Sequence, residues 1–495
     1  MELVRHGYNY YPYELELANR EARVLFPNAR FTETDKGIRL AGKVDSAIAD
    51  RLVYYSAIKS GETTVRTLQG KLERINGAEP RRQATRYSAH GLHEYKGKFN
   101  PQIARAILNI LDIPVGAHVI DPFCGSGTSL LECAHLGMTA IGTDINPLAV
   151  FIANAKIEAL RLPKGRLEKE LSNVLENFKV ARVSKPTDEA GEARATYLAA
   201  WFDDAILRVI ERLRSAIERA DPGCAPAFLA VASNLLRDYS HQDPVDLRIR
   251  RRKSPLPNVS FIDAFEETAL AFIGKLEETK KVLPRLRGAG KAWLHDSRQL
   301  DSATFLNGQK FDCALTSPPY ATALPYIDTQ RLSLVWLGLA QPSEIAPLES
   351  RLVGSREVRD KKQALTALKN NGAELPAAQA QYCVELQEAL TDADGFRRRA
   401  VPLLLYRYFA GMASVFQTLR PNMKSGAPFA LIVGTNHTVL SGKRFDIDTP
   451  QHLAELAAAN GWVHEESVPL QIYHRYGYHT GNAVTGEAMV IVRAK

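Results

Sequence analysis

Two short segments of the 495-residue chain collect residue types that can do chemistry. The first is Asp121-Pro122-Phe123-Cys124-Gly125-Ser126-Gly127-Thr128. Gly125 and Gly127 let a backbone turn sharply and pass close to a ligand. An apolar helical pattern follows directly, so the loop opens onto a helix N-terminus with free N–H groups. The loop holds no Lys, so a triphosphate is poorly served, whereas a zwitterionic group needs less positive charge. Asp144 ends the next apolar run, where a carboxylate can grip both hydroxyls of a ribose. The second segment is Thr316-Ser317-Pro318-Pro319-Tyr320. Each Pro fixes its own φ and restricts the residue before it, so this turn holds a polar group and an aromatic face in a fixed relation. Alone, Ser-Pro-Pro is a common surface turn; its pairing with the first segment gives it weight.

The elements that must position these segments are legible around them. His118-Val119-Ile120 is a short apolar run stopped by Asp121-Pro122. SLLECAHLG is helical, Thr139–Gly142 is a second short strand ending at Thr143-Asp144, and PLAVFIANAKIEAL is a second helix. Strand–loop–helix–strand–helix predicts an α/β unit with a parallel sheet, which binds ligands at the carboxyl ends of its strands. The pattern resumes at Lys291 with AWLHDSRQL and FDCALTSPPY, continues through the helix LYRYFAGMASVFQTL, the strand Phe429–Val433 and the helix Thr449–Gly461, and ends in a hairpin of VPLQIY and AMVIVRA.

Together the segments resemble the amino-methyltransferases of DNA, whose S-adenosylmethionine loop has the form D-P-F-x-G-S-G-T and whose catalytic loop has the form S/D/N-P-P-Y. The resemblance covers residues 87–160 and 291–495, and the chain matches the subgroup with Ser-Pro-Pro-Tyr. It implies a Rossmann-like, mostly parallel sheet with a C-terminal antiparallel hairpin. S-adenosylmethionine is the implied cofactor, held by Asp121, Phe123, Gly125, Ser126, Gly127, Thr128 and Asp144. It further implies that Ser317 Oγ and the Pro318 carbonyl accept from the two N–H groups of an exocyclic base amine, which localises the lone pair on nitrogen. Pro319 stiffens this loop, and Tyr320 stacks on the base, since any base offers a π face. The methyl group then transfers in line, with geometry as the main contribution. Lys98, Phe99 and Pro101 match the family's segment that closes on the methionine end, and Asp296 could meet the adenine amino group. Arg475, in YHRYGYHT, reads first as an exposed loop charge and second as a contact to substrate or the backbone.

The expected substrate is double-stranded DNA with the target base flipped out of the stack, at a cost of a few kcal/mol. Cytosine N4 is the expected position, since family members acting there mostly carry Ser where those acting on adenine N6 carry Asp or Asn. No Pro-Cys dipeptide is present, which disfavours attack at the cytosine ring carbon. The alternatives are an N6-adenine DNA enzyme, a tRNA or other RNA base amino-methyltransferase, and a non-catalytic nucleic-acid-binding module. Residues 1–80 read as a small N-terminal α+β domain, 85–160 as the cofactor half of the methyltransferase, and 161–290 as a helical insertion that is the candidate target recognition region. Residues 291–495 read as the catalytic half, with a helical insert at 341–400. Within the first insertion, Arg248, Arg250, Arg251, Arg252 and Lys253 form a basic run suited to phosphate contacts.

Composition agrees with this class. Hydrophobic residues make up 45% and charged residues 24%, which excludes a mostly disordered chain. The net charge of +8 permits a nucleic-acid partner. Five cysteines without paired spacing are no disulfide framework. The N-terminus does not read as a signal peptide, and no apolar run is long enough for a membrane span. No Gly-Lys is followed by Ser or Thr, and common metal signatures are missing. The expected setting is a prokaryotic cytoplasm, in association with the nucleoid, with no membrane or metal and with a nuclease or defence system as a further partner.

Overall fold

The computed structural model describes residues 1–41, 48, 50–74, 82–183, 186–246, 249–321, 327–358, 360–470 and 486–495. Arg248 and Arg475 lie outside them. The N-terminal part is an antiparallel sheet of β1 (Glu2–Arg5), β2 (Arg30–Thr34), β3 (Gly37–Ala41), β4 (Tyr55–Ser60) and β5 (Thr63–Arg66), in the order β2-β3-β1-β4-β5. The helix Pro12–Leu25 buries Leu17, Ala18, Ala22 and Leu25 on one face. That face does not close on the small sheet alone. Its core is continuous with Ile103 and Ile107 of the helix Pro101–Ile110, and with Val468 and Leu470 of the central sheet. Buried Glu21 fixes the joint. Its carboxylate accepts from the Val53 N–H at 3.0 Å and from Asn109 Nδ2 at 2.6 Å.

The central sheet contains β6 (His118–Asp121), β7 (Thr139–Asp144), β8 (Ala289–Leu294), β9 (Cys313–Thr316), β10 (Pro428–Gly434), β13 (Trp462–Leu470) and β14 (Glu487–Ala494). Between β10 and β13 lies a separate two-stranded ribbon, β11 (Asn436–Leu440) with β12 (Lys443–Ile447), which the sequence patterns do not show. The sheet order is β13-β14-β10-β9-β6-β7-β8. Strand β14 runs antiparallel to both neighbours, and the other ladders are parallel. This is the expected mostly parallel sheet with its C-terminal antiparallel pair, although β13 begins at Trp462, ahead of the expected VPLQIY. The chain order reverses between β6 and β9, so the loops after these two strands diverge around a crevice at their carboxyl ends. That is where an open α/β sheet takes its ligand.

The segment between β7 and β8 is helical, ending in the long helix Phe261–Val282. Its core includes Leu148 and Ile152 of the helix Pro147–Arg161, and Leu334 and Trp336 from the stretch after the catalytic loop. The described residues of 341–400 include the helices Ile345–Arg351, Lys361–Lys369 and Ala377–Glu388 and the start of the helix Phe396–Leu419. No described helix is long and apolar enough to cross a membrane.

The stretch leading into the helix Pro101–Ile110 is anchored by a buried polar cluster. Glu132, fully buried, accepts from Tyr87 Oη at 2.9 Å, meets His90 Nε2 at 2.7 Å, and pairs with Arg105 at 2.8 Å. Burial opposes ionisation of Glu132, but Arg105 and the two imidazoles of His135 and His90 outweigh it and hold the carboxyl well below the usual carboxylate range. Removing one partner from a buried pair leaves an uncompensated charge, which costs about 3–5 kcal/mol. Glu132→Ala is therefore expected to lower the unfolding free energy by that amount in denaturant titrations. A change below about 1 kcal/mol would show that Arg105 is neutralised by other means.

Candidate cofactor and catalytic site

The crevice is a cavity of about 530 Å³, within the range of small-molecule and cofactor sites. Asp121, Phe123, Gly125, Ser126, Thr128, Asp144, Asp296, Lys98 and Phe99 line one part of it, and Ser317, Pro318, Pro319 and Tyr320 another. Gly127 and Pro101 stand behind the wall. Gly127 caps the helix Thr128–Leu136 at φ 78°, where a Cβ would meet the Ala153 Cβ at 2.7 Å, so it permits close helix packing. Pro101 is the first residue of its helix, and the neighbouring Asn100 both caps that helix and lines the cavity.

The loop after β6 is held by two carboxylates in different ways. Asp121 accepts from the Phe123 N–H at 3.1 Å, Ser129 Oγ at 2.6 Å and Thr316 Oγ1 at 2.6 Å. It thereby ties the cofactor loop to the residue that precedes Ser317, a role as a joint that the motif alone does not reveal. Asp144 accepts from the Gly125 N–H at 3.0 Å and from the Asn146 N–H at 2.8 Å. Burial pushes each of these two carboxyls up to about 6 against those hydrogen bonds. Gly125 sits at φ 47°, and a Cβ there would come within 3.1 Å of the Tyr95 ring.

Several residues of the site carry no sequence motif. Tyr95 covers Gly125. Lys156, fully buried on the helix Pro147–Arg161, donates to the Ser126 carbonyl at 2.8 Å, and burial lowers its ammonium pKa strongly. Ser297 hydrogen-bonds Thr143 Oγ1 at 2.8 Å and donates to the Pro122 carbonyl, locking the ends of β6, β7 and β8 together. Glu487, at the start of β14, accepts from Tyr320 Oη; burial raises its pKa while this bond opposes the rise. A polar residue inside an apolar helix or at a strand end was the available signal, and it is a weak one.

Asp296 lines the cavity with its carboxylate bonded by Arg298, at 2.9 Å to Nε and 2.6 Å to Nη2. Burial would raise its pKa, yet the Arg298 bonds hold it below the ordinary value. Lys98 donates to the Thr85 and His90 carbonyls at 3.1 and 3.0 Å, and burial pushes its pKa down to about 8. The described part of the basic run, Arg250 to Lys253, lies away from the cavity wall. Arg250 pairs with Asp246 at 3.0 Å, Arg251 stacks over the Trp201 ring at 5.3 Å, Arg252 donates to the Asp238 carbonyl at 2.6 Å, and Lys253 is exposed.

The lining fits S-adenosylmethionine. Ser126 Oγ and Thr128 Oγ1 are buried on the cavity wall with no partner among the described residues, and buried hydroxyls without a partner are costly unless a ligand satisfies them. With Asp144, the turn at Gly125 and the aromatic rings of Phe99 and Phe123, they offer acceptors for ribose hydroxyls, a polar cradle and apolar cover. Ribose hydroxyls of a bound cofactor would donate to an ionised Asp144, and binding would then favour the charged form. Affinity for S-adenosylmethionine is thus expected to be full well above pH 6, where Asp144 is ionised, and to fall as pH drops through about 6. Asp144→Ala should weaken binding by more than about tenfold and flatten the pH profile. Calorimetry between pH 5 and 8 checks both; an unchanged affinity in the variant would remove Asp144 from the cofactor site.

Comparison with known proteins agrees with this geometry. Residues 92–207 match the family model described as UPF0020, RMKL-like, methyltransferase domain. The chain is 25% identical over 297 residues to the type II methyltransferase M.MvaI of Kocuria varians, covering 55% of this chain and 63% of that one. Over 90 residues it is 42% identical to the type II methyltransferase M.MjaII of Methanocaldococcus jannaschii, covering 18% of this chain and 16% of that one. Over 52 residues it is 36% identical to the tRNA (guanine(10)-N2)-dimethyltransferase of Methanothermobacter thermautotrophicus, covering 10% and 16%. The chain thus spans less than two thirds of the length of these relatives. The matched segment contains the loop after β6, Asp144 and the helices that support both, and residues 92–207 are thus similar to a methyltransferase domain.

Proposed function

We propose that this protein methylates an exocyclic amine of a base in DNA, with cytosine N4 as the target. The observation that carries the reading is the Asp121–Thr316 hydrogen bond, which sets Ser317-Pro318-Pro319-Tyr320 beside the cofactor loop in one cavity. S-adenosylmethionine, when bound, supplies an electrophilic methyl group on a sulfonium. Ser317 Oγ and the Pro318 carbonyl accept from the amine and localise its lone pair. The two prolines keep these acceptors from rotating away. Tyr320, its hydroxyl held by Glu487, presents a ring of set orientation on which a flipped base can stack. Buried Pro318 and the surrounding apolar wall exclude water from the amine.

The type II relatives support DNA as the substrate, and Ser at 317 supports cytosine. A second reading, an RNA base, is favoured by the similarity to the tRNA dimethyltransferase. The deciding experiment is nucleoside mass spectrometry of DNA and tRNA from cells expressing the protein or its Ser317→Ala variant. The expected product is N4-methylcytosine in DNA, lost in the variant. N6-methyladenine dependent on Ser317 would move the target base, and methylation confined to tRNA would move the substrate class. In vitro, Ser317→Ala should leave cofactor affinity nearly intact and cut turnover strongly, since the group acts on the base.

The basic run is proposed as a phosphate contact outside the catalytic cavity. Replacing Arg250, Arg251 and Arg252 by Ala should lower the salt slope of DNA binding by roughly 0.9 per lost contact. Because Arg251 and Arg252 also make internal contacts, thermal unfolding must accompany the measurement; an unchanged slope in a folded variant would place the run in solvent.

A further inference from the structure

The catalytic cavity has an aromatic wall that neither the cofactor loop nor the catalytic loop supplies. Tyr11 and Tyr13, at the start of the helix Pro12–Leu25, line it together with Ser317–Tyr320, Ile432 and Leu470. Their rings are stacked, with centroids 6.0 Å apart and planes 11° from parallel. Both rings are half-buried.

The helix that carries them is clamped to the catalytic sheet. Arg20 reaches Glu466 of β13 with two hydrogen bonds of 2.7 and 2.9 Å. The next residue, Glu21, is bonded to Val53 and Asn109. The Glu14 carboxylate accepts from the Tyr11 N–H at 2.8 Å and fixes the first turn. The two rings are therefore mounted on a rigid support rather than on a loose arm. Ile432 lies near the end of β10 and Leu470 ends β13, on the side of the sheet away from Asp144 and β8, so this wall belongs to the part of the cavity beyond the cofactor loop.

We propose that Tyr11 and Tyr13 form the second wall of the target-base slot, so that the N-terminal sheet unit contributes directly to binding the flipped nucleoside. The inference rests on the methyltransferase reading above and deepens it. Flat aromatic rings hold a planar base by stacking without reading its hydrogen-bonding edge. That leaves edge recognition to Ser317 and Pro318, and makes the tyrosines determinants of base affinity.

The test uses the full-length protein, with tritiated S-adenosylmethionine and unmethylated phage DNA of mixed sequence as substrate. Wild type, Tyr11→Leu/Tyr13→Leu and Tyr11→Phe/Tyr13→Phe are compared for KM toward DNA, for cofactor Kd by calorimetry and for thermal unfolding. The expected result is a rise of about tenfold or more in KM for the Leu pair, with cofactor Kd within twofold of wild type, and near-complete rescue by the Phe pair, which keeps the ring faces. An unchanged KM in the Leu pair overturns the proposal. So does a cofactor Kd that moves as far as KM, which would assign the rings to the cofactor, and so does a Phe pair as impaired as the Leu pair. Wild-type protein that binds the cofactor yet transfers no methyl to DNA, while labelling tRNA, defeats the DNA reading instead; the same variants measured on tRNA then decide the role of the tyrosines.

Discussion

The carboxylate of Asp121 is the constraint on which the site depends. It is buried at the end of β6 and takes donors from the loop it opens, from the helix behind that loop, and from Thr316 at the end of the neighbouring strand. A buried carboxylate is tolerated only when such donors satisfy it. The geometry that satisfies Asp121 also sets the distance between the cofactor loop and the catalytic loop. The proposed methyl transfer would need two reactants closely aligned, and one carboxylate shared between the two loops gives both a common reference.

Around this joint, the protein reinforces the loops with further polar contacts. Lys156 holds the Ser126 carbonyl, Ser297 bridges the ends of three strands, and Glu487 holds Tyr320. The Glu132 cluster anchors the stretch that carries Tyr95, Lys98 and Phe99 against the same helix that bears the cofactor loop. Such contacts are costly to bury and rigid once satisfied, which suits loops that must present acceptors without moving.

The two halves of the cavity have different origins in the chain. The cofactor half is local: loop, helix, strand and Asp144 follow one another within a single βαβ unit. The half beyond it is assembled from distant pieces, namely the end of β9, the start of β14, the ends of β10 and β13, and the first turn of an N-terminal helix. The helical segment between β7 and β8 shares a core with the stretch after the catalytic loop and is tied to it by Arg194 and Arg214, which both donate to the Trp336 carbonyl.

By itself, the amino-acid sequence determined the α/β class, the strands that end at Asp121, Asp144 and Thr316, and the residues of the two loops. Each is a local signal, an apolar run broken by Asp-Pro, by Gly-rich turns or by paired prolines, and local backbone physics suffices to read it. Tertiary structure alone decided that Asp121 joins the loop after β6 to the residue before Ser317, because its bond to Thr316 spans 195 residues and exists only once β6 and β9 pair. It also decided that the N-terminal sheet and the helix Pro12–Leu25 share a core with the central sheet. The helices Pro12–Leu25 and Pro101–Ile110 each present an apolar face that could have been covered in many ways, and a periodicity states that a face is buried, not what covers it. Tyr11, Tyr13 and Glu487 came into the site for the same reason. Their positions depend on non-local pairing, whereas the motifs depend on their neighbours in the chain.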